Sequence, residues 1–224
     1  MNKKIFSQLL AYSQNNPDRI TQPYIKETFG VQVDRCETLE QYAESIDDAC
    51  LHRYFSKYWD NDMKKWKYSG VSLIEEVNAL KPRAVLDVGC GYNEFKGKIQ
   101  NLIGIDPYNS KADLCVSALQ YKTDQLFDVI LCLGSVNFGD KEKIIAEVGR
   151  CVNLLADGGT MFFRVNPGIQ HNKPEAKWIE FFAWNVPFII DLAQMFNLTV
   201  LDIRDDTNQR KYFVLRKQLT DLEK

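Results

Sequence analysis

The sequence predicts an α/β fold: a mostly parallel sheet with an antiparallel last strand, preceded by a helical appendage. Three observations predict it. Short apolar runs alternate with helix-spaced apolar stripes from Val71 onward. Ala84–Val88 is one such run, and it enters Gly89-Cys90-Gly91, a buried strand breaking into a tight turn. The chain then closes on two strands, Leu198–Ile203 and Lys211–Leu215, joined by Asp205-Asp206-Thr207-Asn208, a terminal hairpin.

Bulk numbers bound the class. The 224 residues suffice for one sizeable domain with an appendage, and 45% hydrophobic with 26% charged residues is an ordinary globular composition. A formal charge of −2 supplies no global basic field, so nucleic acid is not indicated. The six cysteines form no Cys-x-x-Cys pair, and only His52 and His171 could assist them, so no metal site is expected. They read as reduced thiols in a cytoplasm. Ser7, Gln8 and Ser13 interrupt the first apolar run too often for a signal peptide, and no stretch is long enough to span a membrane.

In chain order, Ile5–Tyr12 and Pro23–Phe29 predict short helices, the second closed by Gly30. Thr38 and Gln41 have capping-box spacing and open a helix running to about Tyr58, with a break at Trp59-Asp60-Asn61-Asp62. Val71–Leu80 is a shorter helix. These divide the chain into a helical lid or appendage, 1–70, and a domain, 71–224. Leu102–Ile105 predicts a second strand, Ala112–Val116 a third, Phe127–Leu133 a fourth and Thr160–Val165 a fifth, seven with the hairpin. Asp140 caps a helix that Gly158-Gly159 should end, and Trp178–Phe182 and Pro187–Phe196 read as helical.

The chemistry gathers where the first two strands end. Gly89 and Gly91 let the backbone turn sharply and let a ligand lie against it. Asp106 puts a carboxylate at the tip of the second strand, where it can accept from ribose hydroxyls. Asp87 sits inside the first strand, where an acid is costly without a partner. Glu94 stands where a dinucleotide fingerprint needs its third glycine, which argues against a nicotinamide-dependent oxidoreductase. Val85-Leu86-Asp87-Val88-Gly89-Cys90-Gly91 and Gly104-Ile105-Asp106 resemble the first two motifs of the class I S-adenosylmethionine-dependent methyltransferases. Residues 133–139, 164–168 and 181–184 are also similar to small methyltransferase-domain proteins of tailed bacterial viruses, which would imply a host cytoplasm.

The resemblance implies a Rossmann-like methyltransferase fold with S-adenosyl-L-methionine as cofactor. It implies cofactor contacts at Asp87, Gly89, Cys90, Gly91, Tyr92, Asp106, Pro107, Ser117, Ala118, Leu133, Gly134 and Ser135, with Trp66 from the aromatic lid. Ser117 stands where relatives often carry an acid for the adenine. Asn137, Arg164, Asn166 and Trp184 are expected acceptor contacts by position. His171 is the candidate general base, since an unperturbed imidazole titrates near neutrality. The fourth strand lacks both the Asp/Asn-Pro-Pro-aromatic motif of DNA amino-methyltransferases and the Pro-Cys pair of cytosine enzymes. The expected acceptor is therefore a small molecule or an exposed group of a larger one, with a small molecule favoured. The alternative is a catalytically silent cofactor-binding module.

Overall fold

The computed structural model describes residues 1–59 and 63–219. Residues 60–62 of the expected helix break lie outside that set. Six strands form one sheet: β1 (Val85–Val88), β2 (Leu102–Ile105), β3 (Phe127–Leu133), β4 (Leu155–Val165), β5 (Leu198–Asp206) and β6 (Arg210–Lys217). Their order is β2-β1-β3-β4-β6-β5. The first four run parallel, and β6 is antiparallel to both of its neighbours. The helices are α1 (Lys3–Ser13), α2 (Gln22–Phe29), α3 (Leu39–Arg53), α4 (Ser72–Ala79), α5 (Lys141–Leu154) and α6 (Val186–Met195).

Strand periodicity builds the layers. Leu86, Ile130, Cys132, Phe163 and Phe213 point to one face and meet Ile144 and Val148 of α5 and Ile189 and Leu192 of α6. Their neighbours Val85, Val129, Leu131, Phe162 and Val214 point to the other face and meet Leu73 and Val77 of α4. Helices α1–α3 form a separate cluster closed by Trp178, whose indole donates to the Thr28 carbonyl at 3.0 Å. The Thr38–Gln41 capping box forms as the spacing predicts. Among the described residues, no helix is long and apolar enough to cross a membrane.

Three expectations need correction. Ala112–Val116 is not a strand: only Leu114 bridges to Ile105, so the described sheet has six strands rather than seven. A parallel partner needs a crossover of roughly a dozen residues, and the stretch after Asp106 is too short to make one. Gly158-Gly159 does not end α5. Leu155 turns extended (φ −83°, ψ 128°), and the glycines lie within β4, where the register with β3 slips between Phe127 and Val129. Trp178–Phe182 is not helical. Trp178 packs with α1–α3, Ile179 with Leu51 and Tyr54, and Trp184 with the sheet core. Such divergent anchors cannot share one helical face, and antiparallel bridges at Phe181 and Ala183 hold the stretch extended.

Candidate active site

At the end of β1 the chain must turn within three residues. Gly89 and Gly91 have φ +67° and +55°. A Cβ on Gly89 would stand 2.2 Å from Ser135 Cβ, and one on Gly91 would stand 2.7 Å from the Trp59 ring. Glycine is needed at both positions for the backbone angle and for the close approach. Asp106, at the tip of β2, braces the turn. Its Oδ2 accepts from Gly91 N at 2.9 Å, and its Oδ1 accepts from Tyr108 N at 2.7 Å and Asn109 N at 2.9 Å. Two neighbouring strands thus deliver a glycine turn and a carboxylate to one edge of the sheet.

That edge opens into a cavity of about 500 Å³, within the usual range for small-ligand sites. Of the residues singled out from the sequence, Gly89, Gly91, Asp106, Pro107, Ser117, Ala118, Leu133, Gly134, Ser135 and Trp66 line it, as do Asn137, Arg164, Asn166 and His171. Ser117 Oγ donates to Gln120 Oε1 at 3.0 Å, and Gln120 also faces the cavity. Asn137 Oδ1 accepts from Asn166 N, and Asn166 Oδ1 accepts from Gly168 N and Ile169 N. These two amides fasten the loop after β4 to the end of β3.

Four residues fall outside the lining. Asp87 is 3% exposed within β1, and burial together with the Asp106 charge pushes its carboxyl up to about 7. Cys90 is buried behind the turn, with its thiol near Gly104. Tyr92 stacks on Trp59 and donates to its carbonyl at 3.1 Å, so it supports the cavity wall from behind. Trp184 is 2% exposed, and its indole donates to the Val136 carbonyl at 3.0 Å. It is a core residue, and the expectation of an acceptor contact there is corrected.

His171 meets the cavity with both ring nitrogens engaged. Arg210 Nη2 lies 3.1 Å from Nε2, and Tyr54 Oη lies 2.9 Å from Nδ1. A guanidinium only donates, so Nε2 must accept, and the ring proton sits on Nδ1 and points to Tyr54. Burial, then Arg210, Arg164 and Lys173, lower the imidazole to about 4. His171 thus lines the cavity as expected, but its basic nitrogen is occupied and its protonation is opposed by Arg210, Arg164 and Lys173, which does not favour the expected general base.

The cavity also has walls from the aromatic stretch expected as a lid, and others that were not singled out. Tyr54, Phe55 and Trp59 follow α3, the first two in a π-helical turn at Tyr54–Tyr58, a form common at functional sites. Glu147 faces the cavity from α5, and burial raises its carboxyl to about 7. Its sequence signal was an acid on the apolar stripe of Ile144 and Val148. Arg210 and Asn208 come from the hairpin and carry no such signal.

The strand order, the reversed β6 and the ligand edge at the ends of β1–β4 decide the fold. The chain has the class I methyltransferase fold. Solved methyltransferases resemble it across most of their length. 1,6-Didemethyltoxoflavin-N1-methyltransferase of Burkholderia thailandensis, with 1,6-didemethyltoxoflavin and S-adenosylhomocysteine bound, superposes with a TM-score of 0.58 at 14% identity, covering 84% of this chain and 94% of that one. Magnesium protoporphyrin IX methyltransferase of Synechocystis, with S-adenosylmethionine bound, gives 0.54 at 11% identity over 77% and 97%. An S-adenosylmethionine-dependent methyltransferase of Clostridium acetobutylicum gives 0.53 at 17% identity over 75% and 97%. No protein-family model and no curated protein matches the sequence.

Proposed function

We propose that this chain is an S-adenosylmethionine-dependent methyltransferase acting on a small acceptor. The observation that carries the reading is the pairing of a Cβ-free turn at Gly89–Gly91 with the Asp106 carboxylate, both facing one cavity. The residues fit the cofactor's shape and charge. Without a Cβ at Gly89 the Ser135 side chain can pack against the turn, and Asp48, Asp106 and Glu147 give the cavity carboxylates suited to a cationic ligand.

When bound, the cofactor supplies a methyl group already activated on a sulfonium. The chain's contribution is then placement. Holding the reactants close and collinear can account for roughly 7–11 kcal/mol of the barrier. Asp106 already accepts three backbone N–H groups, and a carboxylate offers about four acceptor positions. It has room for about one ribose hydroxyl unless the Gly91 N–H is released. Ala118 and the Ser117–Gln120 pair suit the adenine side, and Leu133, Gly134 and Ser135 suit the methionine side. Trp59 and Trp66 belong to 1–70, which we read as a lid over the cavity. No side chain needs to act as a base for an acceptor that arrives deprotonated. The free thiols suit a reducing cytoplasm.

Calorimetric titration with S-adenosylhomocysteine tests the reading, with NADH as the comparison. Saturable heat from the first alone is the expected result. Binding of NADH with no response to S-adenosylhomocysteine would replace this function with nicotinamide chemistry.

A further inference from the structure

The cavity changes character along its length. At the hairpin end it holds Arg164, Arg210, His171 and Lys173. The two arginines are not equivalent. Arg164 is neutralised by Asp206, with Nε 3.4 Å from Oδ2, and its guanidinium lies 4.3 Å from the Trp66 ring centroid. Asp206 is itself saturated, accepting from Lys67 N, Tyr68 N, Ser69 Oγ and Thr207 N. Lys173 Nζ donates to the Tyr58 carbonyl. Arg210 is 8% exposed and lines the cavity, yet among the described residues no carboxylate stands within ion-pair distance of it. One of its terminal nitrogens donates to His171, and the other, Nη1, is buried without a hydrogen-bond partner. A buried guanidinium left in this state is costly unless an anion completes it.

The walls between this cation and the glycine turn are aromatic. His171 meets Phe181 in a tilted contact at 4.6 Å, Phe181 meets Phe138 at 5.3 Å, and Phe138 meets Phe55 at 5.2 Å. Phe55 meets Trp59 at 5.9 Å, and the Trp59 ring covers Gly91. Phe181, Phe138, Phe55 and Trp59 all line the cavity with Arg210, so a planar ligand that reaches the guanidinium meets aromatic walls. Because His171 donates to Tyr54, the Tyr54 hydroxyl proton is free to add a second donor.

We propose that the acceptor is a flat aromatic acid whose carboxylate pairs with Arg210. The proposal rests on the methyltransferase reading and deepens it by naming the substrate class. One anionic group matches the one cavity guanidinium that, among the described residues, has no counter-charge, and planar carboxylates suit the guanidinium fork. His171 is a positioning residue in this account. Kept neutral and accepting at Nε2, it fixes the orientation of Arg210 toward the cavity.

The probes are 4-hydroxybenzoate, its neutral analogue 4-hydroxybenzamide, and inorganic phosphate. Each is titrated by thermal shift and calorimetry into the S-adenosylhomocysteine-saturated protein, and again without that ligand. The expected result is saturable binding of the benzoate, at least about tenfold weaker binding of the amide, and no competition by phosphate. Arg210→Gln should lose the preference for benzoate over benzamide, and Arg210→Lys should keep part of it. Both variants should bind S-adenosylhomocysteine as the wild type does. Equal binding of benzoate and benzamide to the wild type overturns the proposal, and that comparison needs no variant to fold. Loss of S-adenosylhomocysteine affinity in Arg210→Lys would also overturn it, since Arg210 would then hold the cofactor's own carboxylate. Failure of the wild type to bind S-adenosylhomocysteine strikes the function reading instead. Benzoate binding without that ligand would still report on the guanidinium.

Discussion

Replacing Asp87 with Asn should make the protein more resistant to unfolding at alkaline pH than at acid pH, relative to wild type. Asp87 lies inside β1, 3% exposed, and among the described residues it has no cationic partner. Burial first, and the Asp106 charge second, raise its carboxyl from 3.8 to about 7. The folded state therefore holds a proton that the unfolded chain has released between those values. The resulting stabilisation is complete below about pH 4 and is lost as pH rises through 7. At roughly 1.4 kcal/mol per pH unit, the gap of about three units is worth about 4 kcal/mol. That is a large share of the roughly 5–15 kcal/mol typical of a domain. Asn has nearly the same shape and does not titrate. Glu147, also raised to about 7, and His171, lowered to about 4, titrate in both proteins. Their contributions cancel in the difference. Urea unfolding of both proteins at intervals from pH 4 to 8 reads that difference. It should swing by about 4 kcal/mol in favour of Asp87→Asn, most steeply between pH 5 and 7. Parallel curves would refute the assignment of a protonated Asp87 to the folded state.

Two further substitutions separate shape from chemistry. Gly89→Ala combines a left-handed backbone cost of about 1–2 kcal/mol with overpacking of about 1–3 kcal/mol against Ser135. It should lower stability by about 2–5 kcal/mol in denaturant melts and abolish the S-adenosylhomocysteine heat. Trp184→Ala should cost about 3–5 kcal/mol by opening the core beneath α6. Calorimetry below its melting range should still show near-normal S-adenosylhomocysteine affinity, because Trp184 lies outside the cavity lining.

How legible the molecule was depended on whether an element's cause was local. The β1–turn–β2 unit was legible because an apolar run, two glycines and a terminal acid each have a local physical reason. The helices opened by Thr38 and Asp140 were legible for the same reason, since both cap as short polar residues do; Asn185 caps α6 in the same way, although the sequence reading rested on its apolar run. The strand expected at Ala112–Val116 failed because pairing depends on the crossover before it. Asp113 instead turns its carboxylate to Gly104 N and Lys96, and Leu114 is left 44% exposed. At the site, the glycine edge was visible in the sequence and the opposite wall was not. Arg210 matters because, among the described residues, no carboxylate neutralises it, and that follows from Asp206 being taken by the Lys67 and Tyr68 backbone, the Ser69 hydroxyl and Arg164. His171 looked like a base from its ordinary titration range, and only the folded chain brings Arg210 to its lone pair.

Asp106 gives the most direct test of the claim that this sheet edge holds the cofactor. S-adenosylhomocysteine affinity should be compared by calorimetry in wild type, Asp106→Ala and Asp113→Ala, the last removing a nearby acid that braces the same loop from outside the cavity. The account predicts a loss of about 1–3 kcal/mol for Asp106→Ala and little change for Asp113→Ala. Equal affinities in all three proteins would contradict it.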